Sequence, residues 1–251
     1  MNIREPFMRF PEPRVKVKFL RRPQRFLAEV SFADGSKTRA YCANPGSFNG
    51  CLKNGSAAVL WDSADTQRKR RYTLRAVKLG RVWIGTDTHL ANRLVERALQ
   101  QQLLPTLKGY PTLERERPSG KGQRIDFLLS GAKGSCFLEV KSATVVAEGV
   151  ARFPDSVTPR GLKHLNCLTQ HAKQGHRAVI LFVVQRGDAT CFTVSSARHP
   201  AYAKAFQRAL RSGVEALAFA VAVTPKAFGK PIFLPFAATA ENRETTGRDV
   251  F

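Results

Sequence analysis

Acidic residues are scarce in this sequence. The 251 residues contain 19 Asp and Glu against 41 Lys and Arg, which leaves a formal net charge of +22. Residues 1–85 hold 18 basic and 6 acidic residues, and residues 86–251 hold 23 and 13, so the excess is not a detached basic tail. A polyanionic partner, most commonly a nucleic acid, is favoured over a surface charged only for solubility. Such binding should weaken steeply with salt as counterions are released.

Cysteines, long apolar runs and DNA-reading motifs are also few or missing. The five cysteines are odd in number and form no Cys-x-x-Cys pair, which argues against a zinc site. No run approaches the 18 apolar residues that a membrane helix needs, and the first residues contain no apolar signal region. We therefore expect a cytoplasmic protein without a membrane segment. Because no helix-turn-helix or zinc-finger pattern occurs, base-specific reading is not predicted.

The stretch that carries chemistry lies in the middle of the chain. Residues 124–129 and 136–142 are predicted as strands because they are rich in the Phe, Leu and Val that fill a buried sheet. The short segment between them contains two glycines, which predicts a hairpin. Asp126 lies on the first strand, and Glu139 and Lys141 lie on the second. Residues two apart on a strand share a face, so Glu139 and Lys141 project together and Asp126 reaches them from the neighbouring strand.

Two carboxylates held this close repel each other unless a cation lies between them. Carboxylate oxygens with room for water suit Mg²⁺ or Mn²⁺, which polarise a phosphate and lower the pKa of a bound water. A lysine beside the ion orients that water and stabilises developing negative charge. The pattern therefore predicts phosphodiester hydrolysis. By itself it also fits a surface hairpin whose charges face water, but the apolar flanks favour a buried, functional set.

Longer motifs around the hairpin resemble known families. Asp126 followed by Glu139 and Lys141 resembles the core of the PD-(D/E)xK nuclease superfamily. Four further motifs resemble the sugar fermentation stimulation protein A (SfsA) family: Cys-Ala-Asn-Pro-Gly-Ser at 42–47, Arg-Ile-Asp-Phe-Leu-Leu at 124–129, Glu-Val-Lys-Ser at 139–142 and Phe-Pro-Asp-Ser-Val-Thr-Pro-Arg-Gly-Leu-Lys-His-Leu at 153–165. The resemblance extends from about residue 19 to about residue 234, in the family's order.

The resemblance implies a mixed α+β protein in which an OB-like β-barrel precedes an α/β domain of the PD-(D/E)xK nuclease type. We predict a loose leader at 1–14, the OB-like barrel at 15–85, the nuclease-like domain at 86–234 and a polar, disordered tail at 235–251. The family is also attributed DNA binding, so DNA is the expected partner. Neither the resemblance nor the composition decides between single and double strands, excludes RNA or gives the oligomeric state.

The barrel half shows short strand candidates separated by turn signals. The predicted strands span 15–20, 26–32, 38–42, 57–61, 72–79 and 82–85. OB-type barrels combine a basic groove with aromatic stacking, and Arg21, Arg22 and Arg25 lie among aromatic residues at 19, 26 and 41. The alternative is that the aromatics fill the core and the arginines are solvated. The turn at 44–47 either contacts a phosphate through its backbone amides or is an ordinary tight turn. The basic run at 68–71 is either a phosphate contact or a solvated loop.

The α/β half contains further candidates. A helix over 93–104, capped by Asn92, carries Glu96, which is either an extra metal ligand or a surface residue paired with a neighbouring arginine. The segment 151–161 is predicted as a loop that leads into a helix over 162–174. Arg160 and Lys163 lie at that helix start, where phosphates bind readily. Strands are also expected at 110–116, 178–185, 190–194 and 216–223, with a helix at 202–211.

Two main hypotheses follow. In the first, the protein is a metal-dependent nuclease in which Asp126 and Glu139 hold Mg²⁺ or Mn²⁺ together with the Val140 carbonyl, and Lys141 acts beside them. In the second, which the resemblance to the SfsA family implies, it is a non-catalytic, non-specific DNA-binding protein with a regulatory link to sugar (maltose) metabolism. A third, weaker idea is an RNA-processing enzyme or RNA chaperone. Dependence of the activity on metal and on Lys141 separates the first hypothesis from the second.

Overall fold

The chain folds as a β-barrel followed by an α/β domain, in a computed structural model that describes residues 5–48, 50–120 and 122–237. An N-terminal strand precedes the six barrel strands: β1 (Met8–Arg9), then β2 (Arg14–Gln24), β3 (Leu27–Ser31), β4 (Lys37–Tyr41), β5 (Ala57–Asp62), β6 (Tyr72–Leu79) and β7 (Val82–Gly85). The predicted fold class, an OB-like barrel followed by a mixed α/β domain, is confirmed.

The barrel closes because β4, at one edge of its sheet, also pairs with β6. The sheet order is β4-β3-β2-β5-β6-β7, and Tyr41 on β4 pairs with Thr73 on β6, which joins five strands into a closed barrel. Alternate residues of each strand point inward, as the strand period requires. Phe19 is buried in this interior together with Val30 and Leu60. One of the aromatic residues among the basic cluster thus fills the core, whereas Phe26 is 48% exposed.

The α/β domain is a seven-stranded mixed sheet covered by helices on both faces. In chain order its elements are α1 (His89–Gln100), a short 3-10 helix (Pro105–Leu107), β8 (Thr112–Pro118), β9 (Arg124–Gly131), β10 (Gly134–Ala143), β11 (Val145–Ala147), β12 (Val150–Phe153), α2 (Pro159–Lys173), β13 (Arg177–Val184), β14 (Cys191–Val194), α3 (Pro200–Arg211), β15 (Glu215–Val223) and β16 (Ala227–Phe233). The sheet order is β1-β16-β15-β13-β10-β9-β8, with β10, β13 and β15 parallel. In the described parts of the chain, no helix is long and apolar enough to cross a membrane.

The central strands are buried because both sheet faces are covered. The apolar residues of α1 pack on one face, and those of α2 and α3 pack on the other. Strand β13, which lies between β10 and β15, is buried along nearly its whole length. Its continuous apolar sequence is therefore what a parallel strand covered on both faces requires. This arrangement also places β10, and with it Glu139, in the interior.

Two local predictions were wrong. Helix α1 begins at His89 and not at residue 93, because the Asp87 carboxylate accepts a hydrogen bond from the His89 amide at 2.9 Å. Asn92 is therefore inside the helix rather than at its cap. The segment predicted as a loop over 151–161 contains β12, which forms a three-stranded sheet with β11 and β14. Helix α2 begins at Pro159, which is tolerated in a first turn because its missing N–H would have no intrahelical acceptor there.

The chain ends differ from the predicted loose leader and tail in the residues that are described. Phe7 and Phe10 are buried, and Met8 pairs with Phe228 on β16, a strand that the sequence did not suggest. At the other end Phe236 packs against the core beneath α2 and α3. The remainder of the predicted tail, residues 238–251, lies outside the described residues.

The two domains are joined by direct contacts at residues 85–87. The Gly85 amide donates to the Gln185 carbonyl at 2.8 Å, and the Gln185 side chain donates to the Asp87 carbonyl at 3.0 Å. A Cβ at Gly85 would lie 2.6 Å from the Gln185 side-chain oxygen, so only glycine allows this approach. Arg75 of the barrel forms a buried ion pair with Asp87. The barrel therefore rests on the exit of the central strand β13.

Loss of this buried ion pair should destabilise the protein. We expect Asp87→Ala to lower the free energy of unfolding by about 3 kcal/mol, because it leaves the buried Arg75 guanidinium without its counter-charge. Urea unfolding followed by circular dichroism measures the change. Asp65→Ala, at an exposed position of the barrel, is the matched control and should change stability by less than about 0.5 kcal/mol. Equal midpoints for the two variants would contradict the expectation.

Thiol reactivity should follow burial. All five cysteines are free, and only Cys191 is not fully buried. Burial raises the pKa of Cys51 to about 11 and that of Cys136 to about 12, so these thiols are both shielded and protonated. We expect an aromatic disulfide reagent to modify about one thiol in the native protein and all five after unfolding, with Cys191→Ser removing the native reaction. More than one rapidly modified thiol would count against this.

Candidate active site

The hairpin of β9 and β10 opens at the position of the two carboxylates. Its ladder runs from the Gly131–Gly134 pair to the Phe127–Leu138 pair. Beyond this last pair, the Val140 amide donates to Asp126 Oδ2 at 2.8 Å, so a side chain takes the place of a backbone acceptor. The Asn92 side chain on α1 donates to Asp126 Oδ1 at 2.9 Å. Both oxygens of Asp126 are thereby held in position.

Glu139 is buried beside Asp126, with only 1% of the residue exposed. Its Oε1 accepts hydrogen bonds from Lys141 Nζ and from His164 Nδ1. Its Oε2 is buried and has no hydrogen-bond partner among the described residues. Glu139 and Lys141 thus lie side by side, as the two-residue strand period predicts. The free oxygen leaves one strong acceptor available at the site.

His164 brings helix α2 into the site. Arg160, one turn earlier, donates through Nε to His164 Nε2 at 3.2 Å. Because a guanidinium only donates, Nε2 carries no proton and the ring proton lies on Nδ1, where it donates to Glu139. His164 was not among the predicted site residues. A usable signal was its position on the buried face of α2, between Gly161 and Leu168.

The electrostatics of the two carboxylates differ. Burial raises the pKa of Asp126, and the negative charge of Glu139 raises it further, although Lys141 opposes this. Burial also acts to raise the pKa of Glu139, but Lys141 and His164 outweigh it and hold that pKa below its ordinary value. The surroundings therefore favour the ionised form of Glu139. For Asp126 they disfavour the ionised form. A further cation between them would favour both charges.

A cavity of about 520 Å³ opens over these residues, between the two domains. The α/β domain contributes Asp126, Glu139, Lys141 and the residues at the start of α2, and the barrel contributes Arg25 and the turn at 44–46. The turn is fastened to the α/β domain, since Ser47 Oγ donates to the Asp155 carbonyl at 3.0 Å. The cavity is therefore built by both domains and not by the α/β domain alone.

The turn at 44–46 uses much of its hydrogen-bonding capacity internally. The Gly46 amide donates to Asn44 Oδ1 at 2.7 Å, and the Phe48 amide donates to Asp155 Oδ2 at 3.2 Å. A Cβ at Gly46 would collide with the Asp155 carboxylate. These contacts match the tight-turn interpretation of this motif more closely than the phosphate cradle.

The predicted nucleic-acid residues occupy different environments. Arg25 and Arg160 line the cavity. Arg22 donates to the carbonyls of Asn44 at 2.6 Å and Gly46 at 2.7 Å, so it braces the turn. Arg21 is on the barrel surface and pairs with Glu29 at 2.6 Å. Lys163 is exposed on α2 and lies outside the described lining of the cavity. The structure thus brings two of the five together at the site.

The predicted extra metal ligand, Glu96, is not among the acidic residues in the described lining of the cavity. Glu96, the predicted extra ligand, forms an ion pair with Arg115 at 3.5 Å, and Asn92 of the same helix contacts Asp126. Glu116 of β8, which the sequence did not single out, lines the cavity with a φ of 52°. In the described residues, no three His, Cys, Asp or Glu side chains group as a complete metal site. A cation here would therefore need backbone, water or substrate oxygens in addition.

Comparisons with known proteins cover most of the chain. The family described as "Sugar fermentation stimulation protein RE domain" matches residues 89–227, and "SfsA N-terminal OB domain" matches residues 20–86. A sugar fermentation stimulation protein homolog from Geobacter sp. strain M21 is 41% identical over 217 residues, covering 86% of this chain and 94% of that protein. A homolog from Geobacter sulfurreducens is 42% identical over 219 residues, covering 87% and 94%.

A solved structure is similar along nearly the whole fold. It is that of Pyrococcus furiosus SfsA in complex with Ca²⁺, with a TM-score of 0.83 and 27% identity, covering 93% of this chain and 100% of that one. The barrel and the α/β domain therefore occur together in a relative as they do here. On both the sequence matches and this structural match, the chain belongs to the sugar fermentation stimulation protein (SfsA) family.

Proposed function

We propose that this protein is a metal-dependent nuclease that hydrolyses phosphodiester bonds in DNA at Asp126, Glu139 and Lys141. The observation that carries the proposal is the buried Glu139, whose Oε2 has no partner in the described residues while Lys141 and Asp126 lie beside it. A buried acceptor left unpaired is costly for stability, so its retention suggests a use in binding. The OB-type barrel supports a nucleic acid as the substrate.

The residues present suit a hard divalent cation. Asp126 and Glu139 supply carboxylate oxygens, the Val140 carbonyl is a further candidate ligand, and the ionised form of Asp126 gains from added positive charge. The Pyrococcus furiosus relative was studied in complex with Ca²⁺, which has the same preference for oxygen ligands. We propose Mg²⁺ or Mn²⁺, which would polarise the phosphate and lower the pKa of a bound water. Glu96 as an additional ligand remains a prediction.

The chain's own groups supply positioning and charge. Lys141 Nζ, held against Glu139, is placed to orient an attacking water and to stabilise charge on the phosphate. Arg25 of the barrel and Arg160 of α2 both line the cavity and would hold the substrate phosphates. His164 fixes the orientation of the Glu139 carboxylate through its Nδ1 proton. The free cysteines fit a reducing cytoplasmic setting.

Cleavage should require both metal and the three central residues. We expect end-labelled DNA to be cut by the wild type with Mg²⁺ or Mn²⁺ and not with EDTA. Asp126→Asn and Lys141→Met should each lower the rate by about 100-fold or more, because they remove a ligand charge and a stabilising cation. Lys133→Met, at the exposed turn of the same hairpin, is the matched control and should cut normally.

The substrate arms of this assay also separate the alternative functions. Single-stranded DNA, double-stranded DNA and RNA are assayed in parallel, with binding measured in low salt. If the wild type binds all three but cuts none with either metal, the nuclease proposal fails and a non-catalytic DNA-binding regulator becomes the working description. Preferential cutting of RNA would identify an RNA-processing enzyme instead.

His164 should act by positioning Glu139. We expect His164→Ala to lower the cleavage rate by about 10- to 100-fold, the usual effect of removing a hydrogen bond to a metal-site carboxylate. His164→Asn keeps a side-chain N–H donor and should restore part of the loss. The metal concentration needed for half-maximal rate should rise in His164→Ala and return toward normal in His164→Asn. A loss of rate that is equal in the two variants, without a change in metal requirement, would contradict this role.

A further inference from the structure

A second cavity lies on the barrel side of the first. It has a volume of about 520 Å³, and its lining includes residues of β4, β5, β6, α1 and the loop between β5 and β6, namely Tyr41, Trp61, Arg68, Thr73, Arg75 and Arg93. His89, at the start of α1, lines both cavities, so the two adjoin. A chain that occupied the candidate active site would therefore have the second cavity within reach on the barrel surface.

Aromatic rings form the walls of this second cavity. Trp61 is half-buried, and its Nε1 donates to the Glu12 carbonyl at 3.2 Å, which fixes the ring. The Arg68 guanidinium lies 5.3 Å from the Trp61 ring centroid and belongs to an exposed loop. Tyr41 stacks on the exposed Phe26, with ring centroids 6.3 Å apart. Phe26 directly follows Arg25, which lines the first cavity, so aromatic and basic groups lead from one cavity toward the other.

Two residues that line the second cavity have buried polar atoms without partners in the described part of the chain. Thr73 Oγ1 and Arg75 Nε are buried, and neither has a hydrogen-bond partner among the described residues. Thr73 is 2% exposed, so solvent does not explain its unpaired hydroxyl. A buried hydroxyl and a buried N–H without partners are unusual in folded proteins. Together they offer one donor and one group that both donates and accepts.

The charge around this cavity favours an electron-rich ligand. Three cations, Arg68, Arg75 and Arg93, line this cavity. Burial, together with repulsion from Arg93 and Arg68, lowers the pKa of Arg75 to about 10. Asp87 is the only acidic residue in the described lining, and it already pairs with Arg75. Aromatic walls, unpaired polar atoms and converging cations together match a base with its flanking phosphates.

We propose that this second cavity is a nucleobase-binding subsite for single-stranded nucleic acid. The Arg68 and Arg75 guanidinium groups lie 5.3 and 5.0 Å from the Trp61 ring centroid, and the base stacks on Trp61 in the place of Arg68, which belongs to an exposed loop. The polar edge of the base bonds with Thr73 and Arg75. The displaced Arg68 contacts the neighbouring phosphates together with Arg93. The strand then continues past His89 toward Asp126 and Glu139. Only this last step rests on the proposed nuclease function. The subsite itself makes single strands the preferred substrate, because a base within a duplex is not free to enter.

A third cavity provides an internal comparison. It has a volume of about 590 Å³ and is lined by Trp83 together with the basic residues Arg9, Lys16, Lys78, Arg81 and Lys226. Its cations are exposed or half-buried, and none of the unpaired buried atoms in the described residues lies there. The third cavity is suited to electrostatic attraction of phosphates rather than to binding of a nucleobase. Because the protein has two tryptophans, one in each cavity, fluorescence distinguishes the two sites.

The first test uses the two tryptophans as reporters in EDTA, so that no cleavage is needed. Trp83→Phe leaves Trp61 as the only tryptophan, and Trp61→Ala leaves Trp83. Each protein is titrated with a ten-nucleotide oligothymidylate and with an abasic oligomer of the same length and charge. We expect oligothymidylate to quench Trp61 strongly and the abasic oligomer to leave it nearly unchanged. Quenching of Trp83 but not of Trp61 would overturn the proposal, as would equal quenching by both oligomers.

The second test measures affinity. We expect Trp61→Ala to weaken oligothymidylate binding by about tenfold and to leave abasic binding unchanged, because one stacked base is lost. Thr73→Val removes an unpaired buried hydroxyl without changing shape, so it should keep or raise the melting temperature while weakening oligothymidylate binding by about fivefold. Unaltered binding by Thr73→Val and Trp61→Ala, in proteins with native circular dichroism, would overturn the subsite. Because neither test requires catalysis, failure of the nuclease proposal leaves this result interpretable.

Discussion

The buried carboxylate of Glu139 is the constraint on which the α/β domain depends. Strand β10 lies between β9 and β13, under helices on both faces, where an uncompensated negative charge would cost several kcal/mol. Lys141 and His164 both donate to one Glu139 oxygen, which ties the strand to the first turns of α2. Asp126 adds a second carboxylate whose ionisation is disfavoured in the same place. The fold therefore holds two carboxylates that repel each other, and a cation bound between them would stabilise both charges.

The barrel is part of this site and not an appendage. Arg22 braces the turn at 44–46 from within the barrel, and Asp155 fastens that turn to the loop before α2. Gln185 at the exit of β13 contacts Gly85 and Asp87, where a side chain at Gly85 could not fit. Of these residues, the turn at 44–46 and Asp155 line the first cavity. Mutations at the junction should consequently affect binding as well as stability.

One pattern recurs in both cavities: buried polar groups are left without partners beside groups that attract phosphate. In the first cavity the group is Glu139 Oε2, and in the second the groups are Thr73 Oγ1 and Arg75 Nε. None of these atoms has a hydrogen-bond partner among the described residues. His89 lies between the two. A cation held together with a phosphate in the first cavity would satisfy Glu139 Oε2, and a base of the same strand in the second would satisfy Thr73 and Arg75. The net charge of +22 would supply the general attraction that delivers such a strand.

Local sequence determined the short strands and the pairing of Glu139 with Lys141, because strand period and turn residues act over short distances. It also indicated Asp126, since a hairpin brings neighbouring strands together. The fold class, an OB-like barrel before a nuclease-like domain, was implied by the family resemblance of the motifs. The tertiary structure alone decided that Asn92 contacts Asp126 and that His164 forms a hydrogen bond with Glu139. It also decided that Arg22 donates a hydrogen bond to the turn at 44–46. Each of these contacts joins elements far apart in the chain, and no periodicity encodes the distance between them. The second cavity has the same origin, since the closure of the barrel and the docking of α1 place its residues around one space.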